Sequence, residues 1–572
     1  MKFIEKFFLV YIICIAFILR VYDLNWDRFY HLHPDERAIS MFTLPLAFPK
    51  DLQTFLNPSS PLNPHFFAYG NFPLYMLKGT SVITSFINPT FATYEKINLL
   101  GRFISAITDL GTLILIFLIA RKIFGKKTAL ISAFIYSFSV FPIQASHFYA
   151  VDVLLTFFIT LTIYQLLKFY EKPSFLNASF VGVFFGFSLA TKISAMPLIT
   201  AIVFTILSDF MLIFIKQPHK LKAWFPHVSI AIKKLIKEGL VVLGTLLFTF
   251  ILLEPYAFID FKEFLKQNLL QSEMTKNPFI FPYTLQYVGK IPYLYEIKNL
   301  FMWGVGPVIG TLSILGLIYF IYLVFKKESK AKDAKQIILF VFFATYFLIV
   351  GKFAVGWMRY MLPLYPLFAI FSGLFIVNLV ELKIENIKNK ILKKSFYLIF
   401  YLLIILWPIS FINIYTKPNT RITASNWILR NIKYGNRIAI EHWDDSLPLQ
   451  NLEKYKPLTL ELYNPDTQQK WEIINNQIKQ TDYIIIASNR LYILLQKLTD
   501  CKKLPQNYCY PETSKYYQKL FSGKLGFKKV AEFTSYPTIP LLNIPIDDQG
   551  ADESFTVYDH PKILIYEKIY KK

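Results

Sequence analysis

The sequence predicts an α-helical polytopic membrane protein that ends in a separate α/β domain, and three observations predict it. The chain is 54% hydrophobic, with 57 Phe and 36 Tyr among 572 residues, a composition of the bilayer rather than of a large soluble core. Apolar runs of near-spanning length recur over residues 1–415. Beyond about residue 415 they give way to short alternating segments of strand character. The expected domains are therefore 1–415 and 416–572.

The apolar runs lie at about 7–24, 98–120, 128–143, 153–169, 178–191, 193–215, 239–255, 304–325, 336–351, 361–380 and 395–415. Most approach the roughly 20 residues that cross a bilayer as a helix. Runs 128–143 and 178–191 are short and need tilt or help from their neighbours. The opening MKFIEKFFLVYIICIAFILR lacks a small-residue cleavage site after its apolar stretch, so it reads as a retained first helix rather than a signal peptide. About eleven transmembrane helices follow.

Lysine and arginine set the orientation. With the N-terminus in the cytoplasm, the cytoplasmic loops are 121–127, 168–174, 216–239, 326–335 and 381–394, all lysine-rich. The opposite loops, among them HLHPDERAIS, QASHFYAVD, ATK, EPYAFIDF and GKFAVGWMRY, mix carboxylates, aromatics and isolated cations. An odd number of spans puts residues 416–572 outside, in a plasma (cytoplasmic) membrane. The formal charge of +23 raises nucleic acid as a partner. The basic residues fall between apolar runs, so the bilayer surface is the better match and nucleic acid is set aside.

In the last domain, residues 437–441, 482–488, 528–533 and 562–569 read as strands, and TASNWILRNI and WEIINNQIKQ as helices. Cys14 is a packing residue of the first span. Cys501 and Cys509 flank KKLPQNY on the outer side, where a disulfide can persist; bridged and free forms are both open. Asp444 and Asp445 in EHWDDSLP read first as solvated loop acids, and otherwise as ligands of sugar hydroxyls or a cation.

The densest ionisable cluster is HLHPDERAIS at residues 31–40. Pro34 favours a turn, and the following helix would hold Asp35 and Glu36 in its first turn, where the dipole favours negative charge. By itself this reads as a capped helix at the membrane surface. The other outer loops change its weight. They supply His147 and Asp152, Lys192, Lys352 and Arg359 on the same side, which together suit an aqueous site with acids for proton transfer and cations for an anion.

The acidic pair Asp35-Glu36 in the first outer loop resembles the catalytic signature of GT-C glycosyltransferases, specifically the family 39 protein O-mannosyltransferases and their bacterial relatives, the aminoarabinose transferases of lipid A. The resemblance runs through NLLGRFISAITDLGT, SHFYAVDVLLTFF, LATKISAMPLI, the segment 285–307 and RYMLPLYP, and covers most of residues 1–415. It implies a GT-C fold and transfer of a sugar, mannose or another hexose, from a polyprenyl-phosphate donor to an extracytoplasmic hydroxyl on a protein, lipid or glycan. It implies inversion, with Asp35 as base and Glu36 beside it. Arg102, Asp152, Lys192, Lys352 and Arg359 would bind the donor phosphate or sugar, and His33, Arg37 and His147 would support them. No metal ligands are expected among these, and no cofactor is required; a divalent cation stays open. Residues 41–56 and 83–97 have the mixed character of interfacial helices, and 256–303 that of an outer loop over the site.

The sequence departs from the family in YGNFPLYML, residues 69–77, which lacks the lysine of a Pro-Pro-Leu stretch common in relatives, and in a last domain unlike a β-trefoil. The competing function is a transporter or flippase of a lipid-linked glycan. That function favours ionisable groups near the midplane and a repeated architecture, and this sequence shows neither.

Overall fold

The structure, a computed structural model, describes residues 2–216, 221–326 and 334–570. It divides into two compact units: Met1–Leu24, Asp35–Ser272 and Pro292–Pro408 form one, and Asn25–Pro34, Glu273–Ile291 and Ile409–Lys572 the other.

The first unit is helical, and every expected apolar run coincides with a helix or a bent pair of helices. Among the described residues six helices are long and apolar enough to cross a membrane, or seven if the bent pair Lys126–Ser137 and Val140–Ser146 is one span; Phe175–Thr191, Ile193–Ser208 and Ala334–Val350 are shorter apolar helices. Length and composition thus do not by themselves reproduce a count of eleven. The lysine-rich segments 216–239 and 326–335 lie partly outside the described residues. From Leu221 the first of these is not a loop, because a helix runs Leu221–Leu253. Trp224, Val228, Ile232 and Ile236 recur every fourth residue, a helical period that the lysines had masked.

The expected interfacial helices also shift. Pro45, Pro49, Pro58, Pro61 and Pro64 interrupt the segment around 41–56, leaving the end of helix Pro34–Thr43 and the short helix Leu52–Phe55. The longer helix is Asn71–Ser85, and Pro89 opens a 3₁₀ turn at Pro89–Ala92 instead of continuing it.

A buried ion pair not foreseen from the sequence ties three helices together. Arg20 donates from Nε to Asp109 at 2.5 Å, and Tyr136 donates its hydroxyl to the other Asp109 oxygen at 2.5 Å. Arg20 also reaches the carbonyls of Ala16, Ser137 and Tyr136. A guanidinium with several oxygen partners tolerates burial that a lone charge would not.

The second unit holds strands β1 (Arg437–Glu441), β2 (Lys456–Leu460), β3 (Tyr483–Ile486), β4 (Phe527–Phe533), β5 (Thr538–Ile539), β6 (Ile544–Pro545) and β7 (Ile563–Lys568). Five form a sheet in the order β2-β1-β3-β7-β4, and β5 pairs with β6. β1 is parallel to β2 and β3, whereas β7 is antiparallel to β3 and β4. β2 escapes a sequence reading because KPLTL carries a proline, which an edge strand tolerates. Side chains alternate as a doubly covered sheet requires. Ile438, Ile440 and Ile485 pack with Ala424 and Ile428 of helix Thr420–Asn431. Ala439, Ile484 and Ile486 pack with Ile474 and Ile478 of helix Gln468–Gln480. Cys501 and Cys509 are bridged, with Cα atoms 5.3 Å apart.

Asp444 is not a solvated loop acid. It is 2% exposed, accepts from Arg421 at 3.0 Å and bonds Ser488, because the turn after β1 folds it back onto helix Thr420–Asn431. Asp445 is 21% exposed, with Arg421 Nε at 3.6 Å.

His560 is fully buried between two carboxylates, with Nδ1 2.5 Å from Asp559 and Nε2 2.8 Å from Asp548. Burial alone would lower its pKa, but the charges of Asp559 and Asp548 outweigh that and push it up to about 10. A raised folded-state value contributes stability that is complete below the unfolded histidine's range of about 6.5 and is lost as pH rises through about 10. Thermal stability of the whole protein should therefore decline between pH 7 and 10, and His560→Gln should flatten that decline. Equal slopes in both proteins would remove the imidazolium from the account.

Candidate active site

Helix Pro34–Thr43 begins at the proline and carries Asp35 and Glu36 in its first turn, as the sequence predicts. The two neighbouring acids have different surroundings. Glu36 is fully buried and takes a two-pronged bond from Arg102, Nε to Oε1 at 2.8 Å and Nη2 to Oε2 at 2.6 Å. The Tyr149 N–H adds a bond to Oε1 at 3.1 Å, and Arg102 Nη1 donates to the Leu24 carbonyl at 2.8 Å. Arg102, on helix Ile97–Phe124, is likewise fully buried. Paired with Glu36, its charge secures the acidic helix.

Asp35 is 22% exposed in its side chain and pairs with Arg359, itself 17% exposed. Arg359 stands in the 3₁₀ turn Met358–Leu364, its guanidinium 5.0 Å over the Trp357 ring. On its other side, Nε lies 3.8 Å from Asp152 Oδ2. Asp152 opens helix Val151–Glu171, and its Oδ1 accepts from Lys192 Nζ at 2.7 Å. Lys192 caps the C-terminus of helix Phe175–Thr191, where the dipole favours a cation. Its ammonium sits 5.5 Å from the Tyr69 ring centroid and 5.0 Å from that of Tyr360, within cation–π range. Four charges of alternating sign thus form one chain from Asp35 through Arg359 and Asp152 to Lys192. Asp35 and Arg359 are its more open end, and Asp152, 4% exposed, is its deepest member.

The remaining expected residues stand elsewhere. Lys352 is exposed and enters none of these contacts. Arg37 is half-buried, one position past Glu36 on the helix. His147 is fully buried, its ring nitrogens 2.8 Å from the Ile143 carbonyl and 2.9 Å from that of Tyr22. His33 belongs to the second unit and packs on Tyr558, with ring centroids 4.3 Å apart. Among the described residues no cluster of three His, Cys, Asp or Glu side chains could hold a metal ion.

Tyr69, Trp357 and Tyr360 are the side chains that sequence reading missed. Their signal was adjacency, since WMRY brackets Arg359 with aromatics that read equally as interfacial packing. Tyr69 is placed by its neighbour Gly70, whose N–H donates to the Thr191 carbonyl at 3.0 Å. A Cβ on Gly70 would lie 1.8 Å from the Ala190 oxygen, a backbone atom that cannot step aside. Gly70→Ala should therefore lower thermal stability in detergent by roughly 1–3 kcal/mol or more. Gly79→Ala is the control: it meets nothing within 4 Å in a helix interior, and alanine there should be neutral or stabilising by up to about 1 kcal/mol. Equal behaviour of the two variants would disprove the close approach.

The family model of dolichyl-phosphate-mannose-protein mannosyltransferases matches residues 91–237, a stretch that includes Arg102, Asp152 and Lys192. The oligosaccharyltransferase AglB of Archaeoglobus fulgidus, solved with an inhibitory peptide and a dolichol-phosphate, superposes with a TM-score of 0.51 at 12% identity, over 99% of this chain and 88% of that one. The chain has the GT-C fold. ArnT of Cupriavidus metallidurans, bound to undecaprenyl phosphate, aligns with a TM-score of 0.41 at 11% identity, over 85% of this chain and 94% of that one. The Pmt1-Pmt2 protein O-mannosyltransferase complex of S. cerevisiae, bound to the sugar donor, gives 0.33 at 18% identity, over 46% of this chain and 34% of that one. No curated protein matches the chain in sequence. The GT-C resemblance read from Asp35-Glu36 and the ordered segments after it is borne out.

Proposed function

We propose that this protein is a glycosyltransferase that moves a sugar from a polyprenyl-phosphate donor to a hydroxyl acceptor outside the cytoplasm. The observation that carries the reading is the pairing of Asp35, a reachable carboxylate, with Arg359, a reachable guanidinium, in a GT-C fold. In the reaction the acceptor oxygen attacks the anomeric carbon while Asp35 takes its proton. The bond from that carbon to the phosphate oxygen breaks, configuration inverts, and polyprenyl phosphate leaves.

Phosphate is an adequate leaving group once its growing charge is met by fixed cations. Arg359 and Lys192 supply these, oriented by Asp152 and by the rings of Trp357, Tyr69 and Tyr360. An anion drawn to Arg359 loosens its hold on Asp35, so donor binding frees the base. Glu36 and Arg102 are positioning residues that fix the helix bearing Asp35. The sugar is a hexose, mannose being the first candidate, and the acceptor is a protein Ser/Thr, a lipid or a glycan. The site faces the exterior of the plasma membrane, with the N-terminus in the cytoplasm and residues 416–572 outside.

The test is incubation of the purified protein with a panel of polyprenyl-phosphate sugars, followed by mass spectrometry. Loss of sugar from one donor is expected. No turnover with any donor, together with movement of a lipid-linked glycan across vesicles holding the protein, would replace the reading with a flippase.

A further inference from the structure

The clamp that seats Tyr69 also builds a second polar feature, on the far side of Gly70. Asn71 donates its N–H to Glu254 Oε2 at 2.5 Å. Glu254 follows helix Leu221–Leu253 and is 1% exposed, yet its Oε1 has no hydrogen-bond partner among the described residues. The side-chain amide of Asn71 is fully buried; the Tyr75 hydroxyl is its polar neighbour, and its oxygen has no hydrogen-bond partner among the described residues. Two orphaned oxygens, one on Glu254 and one on Asn71, are costly in a buried place unless something answers them.

Glu254 lines a partly open, narrow cleft whose walls include Phe67, Tyr69, Leu189, Phe250 and Phe264. The cleft has room for roughly one water-sized group. Tyr69 borders both this cleft and the Lys192 ammonium, so the orphaned carboxylate opens beside the charged chain that starts at Asp35.

We infer that Glu254, seconded by Asn71, is a specificity subsite that receives one hydrogen-bonding substituent, a hydroxyl or amino group, of the donor sugar. The inference rests on the proposed use of a lipid-linked sugar. Glu254 supplies the hydrogen-bonding oxygen at the cleft, and Asn71 backs it through its N–H bond to Oε2. The width admits one substituent rather than the sugar ring. Glu254 is thus a residue of recognition rather than of the transfer itself.

Native mass spectrometry of the purified full chain tests this with three probes: bare undecaprenyl phosphate, the same lipid carrying a neutral hexose, and the same lipid carrying an amino sugar. Glu254→Gln should cost at least one sugar-bearing lipid about tenfold in affinity, the scale of one hydrogen bond to a buried group, and leave the bare lipid unchanged. The probe that suffers most tells whether a hydroxyl or an amine enters the cleft. Unchanged discrimination in the folded variant would overturn the subsite and leave the cleft to a structural water. Equal weakening of all three lipids would overturn it as well, as would a wild type that holds bare and sugar-bearing lipid alike. Should Glu254→Gln fail to fold, Asn71→Ala is read in the same way. Sugar transfer by the wild type without Glu254-dependent discrimination would sink the subsite and spare the glycosyltransferase. Discrimination without transfer to any acceptor would do the reverse.

Discussion

Asp35→Asn is expected to lower sugar transfer by ~10²–10⁴-fold, the range for removing a general base, while the protein folds and still binds its donor lipid. Asparagine keeps the size and helix-starting character of Asp35 but cannot accept a proton. Glu36 and Arg102 keep each other as partners, so the helix Pro34–Thr43 stays where it is. Arg359 retains Asp152 at 3.8 Å, and its affinity for an anion should rise once its nearest carboxylate is gone. The signature is therefore a collapse of turnover with donor affinity unchanged or improved. A variant that loses donor binding in step with turnover would instead make Asp35 an organiser of Arg359. A variant that turns over normally would remove Asp35 from the chemistry.

Local features of the site were legible in the sequence because their causes are local. Asp35 and Asp152 announce themselves as acids that open helices, and the apolar runs behind them carry their own period. Partnership was not legible. Lys192 and Lys352 both follow apolar runs, yet only Lys192 meets Asp152 and two tyrosine rings, while Lys352 is exposed. That distinction comes from a contact 40 residues away in sequence, which hydropathy does not encode. Glu254 hid in EPYAF for a related reason: a carboxylate after a long apolar helix looks like a loop acid until its burial is known. The sheet followed the same rule. β1, β3 and β7 show as apolar segments, whereas the edge strand β2, with three exposed residues of five, has no apolar period to find.

Glu36 and Arg102 were the acid and the cation that the GT-C resemblance assigned to catalysis and to the donor, and their geometry sets up the other large effect. Arg102→Ala should destabilise the protein by roughly 3–5 kcal/mol, because it strands a fully buried carboxylate whose desolvation nothing then offsets. Lysine should not rescue it. The two bonds to Glu36 need a planar fork, which an ammonium lacks. Combining Arg102→Ala with Glu36→Gln removes the stranded charge, so the double variant should lose less than the sum of the two single losses. Thermal unfolding in one detergent, with all four proteins side by side, reads this coupling. If Arg102→Ala instead unfolds like the wild type and only raises the donor KM, the guanidinium serves the phosphate directly, as the resemblance implies. The coupling thus decides between a donor ligand and the anchor of the helix that carries Asp35.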